Sequence, residues 1–217
     1  MKNGWQAPLA ALVVIILFAA FNLRPVKEAA DVAAWVQGVG SLLAIVAAVG
    51  IYARQYAEKK ADDALETRAF VQAVHDEIAT LWEGYSQNLR LRILGLQQGQ
   101  VLDAISPMNP DAFVIYNNAS AQVGRIDDAA LRTLIVTVYA RARGFIYSIQ
   151  MHNGLLIDFR QFETYYQGAD RQARLNQRRD VVVRYAEGLR QIDAAIEALV
   201  TQCLAAAERW LAEHPPC

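Results

Sequence analysis

The sequence has little of what disulfide-bonded, β-rich or zinc-binding proteins need. Its two cysteines, Cys203 and Cys217, are too few for a disulfide framework or for a structural zinc site with four spaced ligands. Six prolines and 12 glycines in 217 residues supply few turns, which disfavours a sandwich or barrel. The sequence therefore predicts an all-α protein built from long helices.

An excess of one charge is also missing, because 21 Lys and Arg face 22 Asp and Glu. This balance gives no support to a basic nucleic-acid-binding polymer or an acidic tail. No phosphate-binding glycine loop, nucleophile elbow, Cys-x-x-Cys or His-Glu-x-x-His occurs, although these patterns mark nucleotide, hydrolase and metal sites. We expect a non-enzymatic protein with no metal and no cofactor, and nothing implies a small-molecule substrate.

Apolar residues are abundant instead: 54% of the chain is hydrophobic, 20% is charged, and the mean hydropathy is +0.13. Two runs, residues 5–23 and 32–53, each approach the 20 or so residues that cross a bilayer. The short connection between them predicts a transmembrane hairpin over residues 1–53. A cleaved signal peptide is the alternative for the first run, since Lys2 precedes it, but no small-residue cleavage site follows it cleanly.

Cations flanking the two runs predict the orientation of the hairpin. The connecting loop carries Arg24 and Lys27. The opposite side carries the amino terminus with Lys2, Arg54, Lys59 and Lys60. Because cytoplasmic flanks are enriched in Lys and Arg, both termini are expected in the cytoplasm.

Small residues recur every four positions in the second run, at Gly40, Ala44 and Ala48. Such spacing removes bulk from one helix face and allows two helices to approach closely. The partner could be the first span or a second copy of the chain. Gln37 is the one strongly polar side chain in the run, and it could reach the membrane interface or line a pore.

Apolar residues spaced three or four apart predict a cytosolic helical bundle over residues 54–217. We expect helices at 54–98, 111–123, 127–166 and 170–213, with Asp111 capping the second. No helix breaker lies between Ala53 and Gly84, so the second span should continue past Lys60 as one helix. Short turns predict an antiparallel bundle whose third helix returns toward the membrane.

Three polar residues interrupt the predicted core: Glu77, His152 and Asn153. Antiparallel pairing would bring them to one height, with Arg184 or Tyr185 beside them, and a Glu77 partner would raise the pKa of His152. This layer is a candidate ligand-binding or pH-sensing site. The alternative is a satisfied polar layer that fixes helix register.

Four arginines cluster after the predicted turn at Gly168: Arg171, Arg174, Arg178 and Arg179. If that turn faces the membrane, they could contact anionic lipid head groups. They could instead bind a partner or a nucleic-acid phosphate, or form ordinary ion pairs with Asp170, Asp180 or Glu163.

Residues 34–41 read Ala-Trp-Val-Gln-Gly-Val-Gly-Ser, and they are followed by an Ala- and Ile-rich span and a charged helix that begins Arg54-Gln55-Tyr56. This arrangement resembles small bacterial two-span membrane proteins that act as effectors in anti-phage systems, retron-associated ones among them. The resemblance covers residues 5–65. It implies a toxin that partners hold inactive until infection, after which it clusters in the inner membrane and permeabilises it.

The resulting hypothesis is a non-enzymatic effector of the bacterial inner membrane that self-associates under the control of its bundle. Its expected partners are membrane lipid, further copies of itself and a cytosolic protein or protein–nucleic-acid regulator. The alternatives are a membrane-tethered scaffold or adaptor and a phage-derived exclusion or lysis-control protein.

Overall fold

A computed structural model of the chain describes residues 29–215, which are 84% helical and contain no strand. The long helices are α1 (Ala29–Tyr85), α4 (Ala129–Tyr165) and α5 (Arg171–Glu213). The short elements are a π-helical turn (Ser86–Arg90), α2 (Leu91–Leu94), α3 (Val114–Ala119) and a 3-10 turn (Ser120–Arg125). The predicted all-α class is confirmed. The predicted first span, residues 5–23, and Cys217 lie outside the described residues.

The chain divides into two compact units after Ala61. Within the first unit, the described residues belong to the first part of α1, and residues 32–53 are mostly exposed. By its length and composition, α1 is the one described helix that could cross a membrane. The hairpin is not shown, because its first arm lies outside the described residues.

Helix α1 continues without a break through residues 54–62, as the lack of helix breakers predicted. It ends at Tyr85 and passes through the π-helical turn into α2, which ends at Leu94 rather than at residue 98. The predicted helices at 127–166 and 170–213 differ from α4 and α5 by at most two residues at either end.

In the second unit, α5 runs antiparallel to α1. Arg68 Nε donates to the His214 carbonyl at 2.8 Å, and Tyr85 donates its hydroxyl to Asp193 at 2.6 Å. Helix α5 also runs antiparallel to α4. Trp210 Nε1 donates to Asp127 at 2.8 Å near one end of that pair, and the Arg178 guanidinium lies 4.3 Å from the Phe162 ring centre near the other.

Helix α4 runs parallel to the part of α1 in the second unit, so the predicted antiparallel pairing of these two helices is wrong. Tyr139 donates to Glu77 at 2.6 Å, and Phe145 meets Tyr85 with ring centres 5.4 Å apart. Later residues of α4 thus meet later residues of α1.

The reason for the parallel arrangement is the crossover segment, residues 95–128, which is not a short turn. It begins beside α4, where Leu102 accepts a hydrogen bond from His152. It ends beside the start of the bundle's part of α1, where Arg125 pairs with Glu66 at 2.6 Å. The chain therefore covers the length of the bundle before α4 begins, which is how parallel neighbours arise in helical bundles.

The core of this unit forms where apolar faces of the three long helices meet. Val71 and Val74 of α1, Ile135 and Ile149 of α4, and Leu189 of α5 are all at most 1% exposed. Removing such side chains from water is the main favourable contribution to folding. The three- and four-residue spacing read from the sequence identifies these faces.

Asp128 ends the crossover segment and caps α4. Its carboxylate accepts hydrogen bonds from the backbone N–H groups of Ala130 at 2.7 Å and Leu131 at 3.2 Å.

We predict that Asp128→Ala lowers the free energy of unfolding by about 1 kcal/mol, since two N–H groups lose their acceptor. Urea unfolding of the full-length protein in detergent measures this. Asp180→Ala, at an exposed position of α5, is the control and should change it by less than about 0.5 kcal/mol. Equal effects would contradict the capping role.

Candidate functional site

Glu77 of α1 is buried, 9% exposed, and its carboxylate holds the start of α3. It accepts hydrogen bonds from the backbone N–H groups of Ile115 at 2.7 Å and Tyr116 at 3.2 Å, and from the Tyr139 hydroxyl at 2.6 Å. Asp111 was expected to cap this helix, and that prediction is wrong, because α3 begins at Val114 without a cap from the residue that precedes it. A carboxylate distant in sequence binds the free N–H groups instead.

The predicted layer of Glu77, His152 and Asn153 does not form. Glu77 lies at the level of Tyr139, which precedes His152 by 13 residues on α4, or about 20 Å of helix rise. The prediction assumed antiparallel pairing of α1 with α4, whereas the crossover segment makes them parallel. Glu77 is therefore not a partner of His152.

His152 does point into the bundle and is 1% exposed. Its Nε2 lies 2.9 Å from the Leu102 carbonyl, to which it donates, while the buried Nδ1 has no partner among the described residues. Tyr185 stacks on the imidazole with ring centres 6.4 Å apart. Of the two residues predicted to lie beside His152, Tyr185 therefore does so, whereas Arg184 is exposed.

The expected rise in the pKa of His152 is also wrong. Burial lowers this pKa from the ordinary value of 6.5, and the bond to the Leu102 carbonyl only partly opposes the effect. The imidazole is therefore held neutral. Neighbouring Asn153 accepts from the Ser106 N–H at 3.2 Å and donates to the Ser106 carbonyl at 2.7 Å. Both side chains fasten the crossover segment to α4, and their use as a ligand or pH sensor stays a prediction.

Each of the four clustered arginines makes a contact within the chain. Arg171 donates to the carbonyls of Tyr166 and Glu163 at 2.9 and 2.7 Å, which closes the turn between α4 and α5. Arg174 pairs with Asp170 at 2.5 Å, in agreement with the predicted ion pairing. Arg178 pairs with Asp158, and Arg179 donates to the Gly99 carbonyl at 2.9 Å.

The arginine cluster lies at the end of the bundle away from Glu66 and Arg125. The turn at Gly168 is near Gly99 and Asp103, which Arg179 and Arg160 contact. The expected approach of this turn to a membrane depended on antiparallel α1 and α4, which the structure does not have. Contact of this cluster with lipid or phosphate remains a prediction, now without support from the direction of α4.

A buried ion pair that was not predicted from the sequence joins the end of α1 to α5. Asp193 is 1% exposed and accepts from the Tyr85 hydroxyl at 2.6 Å and from Arg90 Nε at 3.2 Å. Arg90 also pairs with Glu197, and its guanidinium lies 5.1 Å from the Trp82 ring centre. Burial raises the pKa of Tyr85, and the bond to Asp193 adds to it. The tyrosine therefore stays protonated as a donor.

The π-helical turn allows Tyr85 and Arg90 to reach the same carboxylate. Residues five apart in a regular α-helix point about 140° away from each other. The wider i to i+5 turn at Ser86–Arg90 reduces that angle, and such turns occur often at functional sites. The sequence contains one indication of the ion pair between Arg90 and Asp193. Asp193 falls on the apolar stripe of α5 between Leu189 and Ile196, where a charged side chain needs a buried partner.

A cavity of about 540 Å³ lies between α1, the crossover segment, α4 and α5. Tyr85 and Tyr139 both line it, and their hydroxyls are the groups held by Asp193 and Glu77. The two buried carboxylates thus orient two walls of one cavity.

No protein-family model, curated protein or solved structure matches this chain. The chemistry of the described residues consists of two buried carboxylates with their donors already in place, a neutral buried histidine and a largely apolar cavity.

We predict that Asp193→Ala lowers the free energy of unfolding by about 3 kcal/mol, since it leaves Arg90 without its buried counter-ion. Glu197→Ala is the matched control, because it removes the half-exposed carboxylate that contacts the same guanidinium, and it should cost at most about 1 kcal/mol. Denaturant unfolding followed by tryptophan fluorescence compares the two. A cost for Asp193→Ala no larger than that for Glu197→Ala would show that burial of the pair is unimportant.

The lowered pKa of His152 predicts how stability depends on pH. The unfolded state binds a proton below the ordinary pKa of 6.5, whereas the folded state resists protonation. His152 should therefore destabilise the fold as pH falls below that value, by at most about 1.4 kcal/mol per pH unit. Unfolding of wild type, His152→Leu and the control Asn153→Ala at about pH 7.5 and 5.5 measures this. The loss with falling pH should shrink in His152→Leu alone, and an unchanged loss would refute the assignment.

Proposed function

We propose that this protein is a non-enzymatic effector of the bacterial inner membrane, anchored by a two-helix hairpin and controlled by a cytosolic helical bundle. The observation that supports this most is the extent of α1. One helix contains the uncharged, mostly exposed run at 32–53 and also contributes Glu77 and Tyr85 to the bundle. A change in the bundle therefore acts on the helix that carries the apolar run.

The anchor in this proposal has both termini in the cytoplasm. The cations that support this orientation are Lys2, Arg54, Lys59 and Lys60, because positive flanks remain on the cytoplasmic side. The second arm of the hairpin is the described run at 32–53, and the first is the apolar run at 5–23. The role in anti-phage defence comes from the resemblance carried by residues 5–65.

Self-association through Gly40, Ala44 and Ala48 is the step that would perturb the membrane. All three are exposed among the described residues. Apart from the neighbouring backbone of α1 itself, no atom of the described residues lies within 4 Å of a Cβ built at Gly40. The first span or another copy of the chain can therefore approach this face, as small residues at four-residue spacing allow.

A membrane-tethered adaptor is the second candidate, and exposed side chains on α4 favour it. Tyr147 and Met151 are each 58% exposed, lie four residues apart and so share one helix face. Aromatic residues and methionine are enriched at protein interfaces. An adaptor would bind a cytosolic protein or protein–nucleic-acid complex here without changing membrane permeability, as would a phage-derived exclusion protein that only sequesters a partner.

We predict that expressing the full chain alone depolarises the inner membrane and arrests growth, because no partner is then present to restrain it. Ala44→Leu should abolish both effects, since three further carbons prevent close helix approach. Ala53→Leu is the matched control, because it makes the same change about 180° around the helix and should behave as wild type. A membrane-potential dye and growth curves in an inducible strain are the measurements.

Normal growth and potential with wild-type protein in the membrane fraction would contradict the effector role and favour the adaptor. Equal toxicity of Ala44→Leu and wild type would contradict the packing face alone.

A further inference from the structure

The cavity between α1, the crossover segment, α4 and α5 has the size and walls of a small-molecule site. Its volume of about 540 Å³ falls within the roughly 300 to 1,000 Å³ of typical ligand pockets. All of its walls belong to the second compact unit, since its lining residues lie between 78 and 200. Four separate segments converge on it, so it is not a groove along a single helix.

The lining is neutral and mainly apolar. Among residues 29–215, no charged side chain lines the cavity, and the inner walls include Phe113, Val138, Phe145 and Ile196. The two buried carboxylates that hold the lining tyrosines are already paired: Glu77 with N–H and hydroxyl donors, and Asp193 with Arg90. A charged ligand would lose its hydration there without gaining a counter-ion, so the lining selects a neutral one.

The aromatic walls are held in place before any ligand binds. Tyr85 is fixed by its bond to Asp193 and by edge contact with Phe145, with ring centres 5.4 Å apart. Tyr139 is fixed by Glu77 and by Phe113, with ring centres 5.2 Å apart. Walls fixed in this way lose little conformational freedom on binding, which favours affinity for a rigid apolar body.

Two exposed amides line the solvent side of the cavity, Asn88 and Asn109. Asn88 uses its Nδ2 to donate to the Gly84 carbonyl at 2.7 Å, which leaves its amide oxygen as an acceptor. Asn109 uses its oxygen to accept from the Asp111 N–H at 2.9 Å, which leaves its Nδ2 as a donor. A ligand hydroxyl or carboxamide can both donate and accept, and so matches this pair.

We propose that this cavity binds a small neutral molecule with an apolar, ring-containing body and one hydroxyl or carboxamide group. The body packs against the aromatic walls, and the polar group stays at the solvent side beside Asn88 and Asn109. This site stands on the cavity alone and does not depend on the proposed effector role.

Photoaffinity labelling of the full-length protein in phosphatidylcholine vesicles tests the proposal. The probe is a trifluoromethyl-diazirinyl benzyl alcohol, which is neutral, aromatic and carries one hydroxyl. After irradiation and digestion, mass spectrometry locates the label. We expect saturable labelling of peptides that contain residues 78–89, 106–113 and 138–146, and non-saturable labelling of 32–53 by probe dissolved in the bilayer.

A cavity-filling variant and a matched control make the test specific. Ala142 lines the cavity, whereas Ala140 is exposed on the same helix. Ala142→Phe should reduce labelling of the cavity peptides by about tenfold or more, since the new ring occupies the space. Ala140→Phe should change it by less than about twofold. Ala112→Leu fills the cavity from the crossover segment and decides the result if Ala142→Phe lowers the melting temperature.

Three outcomes would overturn the proposal. The first is label confined to 32–53, and the second is cavity labelling that does not saturate or that persists in both filled variants. The third is saturable labelling of the cavity peptides by a photoreactive phosphatidylcholine, which would assign the cavity to a lipid chain.

Discussion

The buried carboxylate of Glu77 joins the crossover segment to two of the long helices. A carboxylate away from water needs several donors, and Glu77 obtains them from the start of α3 and from Tyr139. Those bonds hold the crossover segment against α1 and α4 together. The contacts at Leu102 and Arg125 show that this segment covers the length of the bundle before α4 starts, so α4 lies parallel to α1.

Asp193 has a comparable role about two turns further along, where α1 ends at Tyr85. It needs donors for the same reason, and the π-helical turn supplies Tyr85 and Arg90 together. Because the tyrosines held by Glu77 and Asp193 line one cavity, the polar contacts that stabilise the fold also set the shape of its largely apolar site. Loss of either carboxylate should therefore affect both stability and the cavity walls, through the same two rings.

The proposed effector and the proposed ligand site meet in one element, α1. Tyr85 and Trp82 line the cavity, and the same helix begins at Ala29 and contains the apolar run at 32–53. If the cavity walls have two arrangements, a ligand shifts the equilibrium between them only by as much as its affinities for the two differ. Because α1 forms one of the walls, that shift would also act on α1. In the combined proposal, the ligand site is where a signal would enter and the small-residue face is where it would act.

The sequence by itself determined the helical class, the long helices and the inward faces of residues such as His152, because these depend on local spacing and on few helix breakers. It determined the run at 32–53 in the same way. Only the tertiary structure decided that residues 95–128 cross the bundle, since a connection of that length is compatible with either direction of α4. The direction then separated Glu77 from His152, left the imidazole neutral, and brought Tyr85 and Arg90 to Asp193. Periodicity places each of these groups on a face of its own helix, but the partner depends on which helices pack together and in which register.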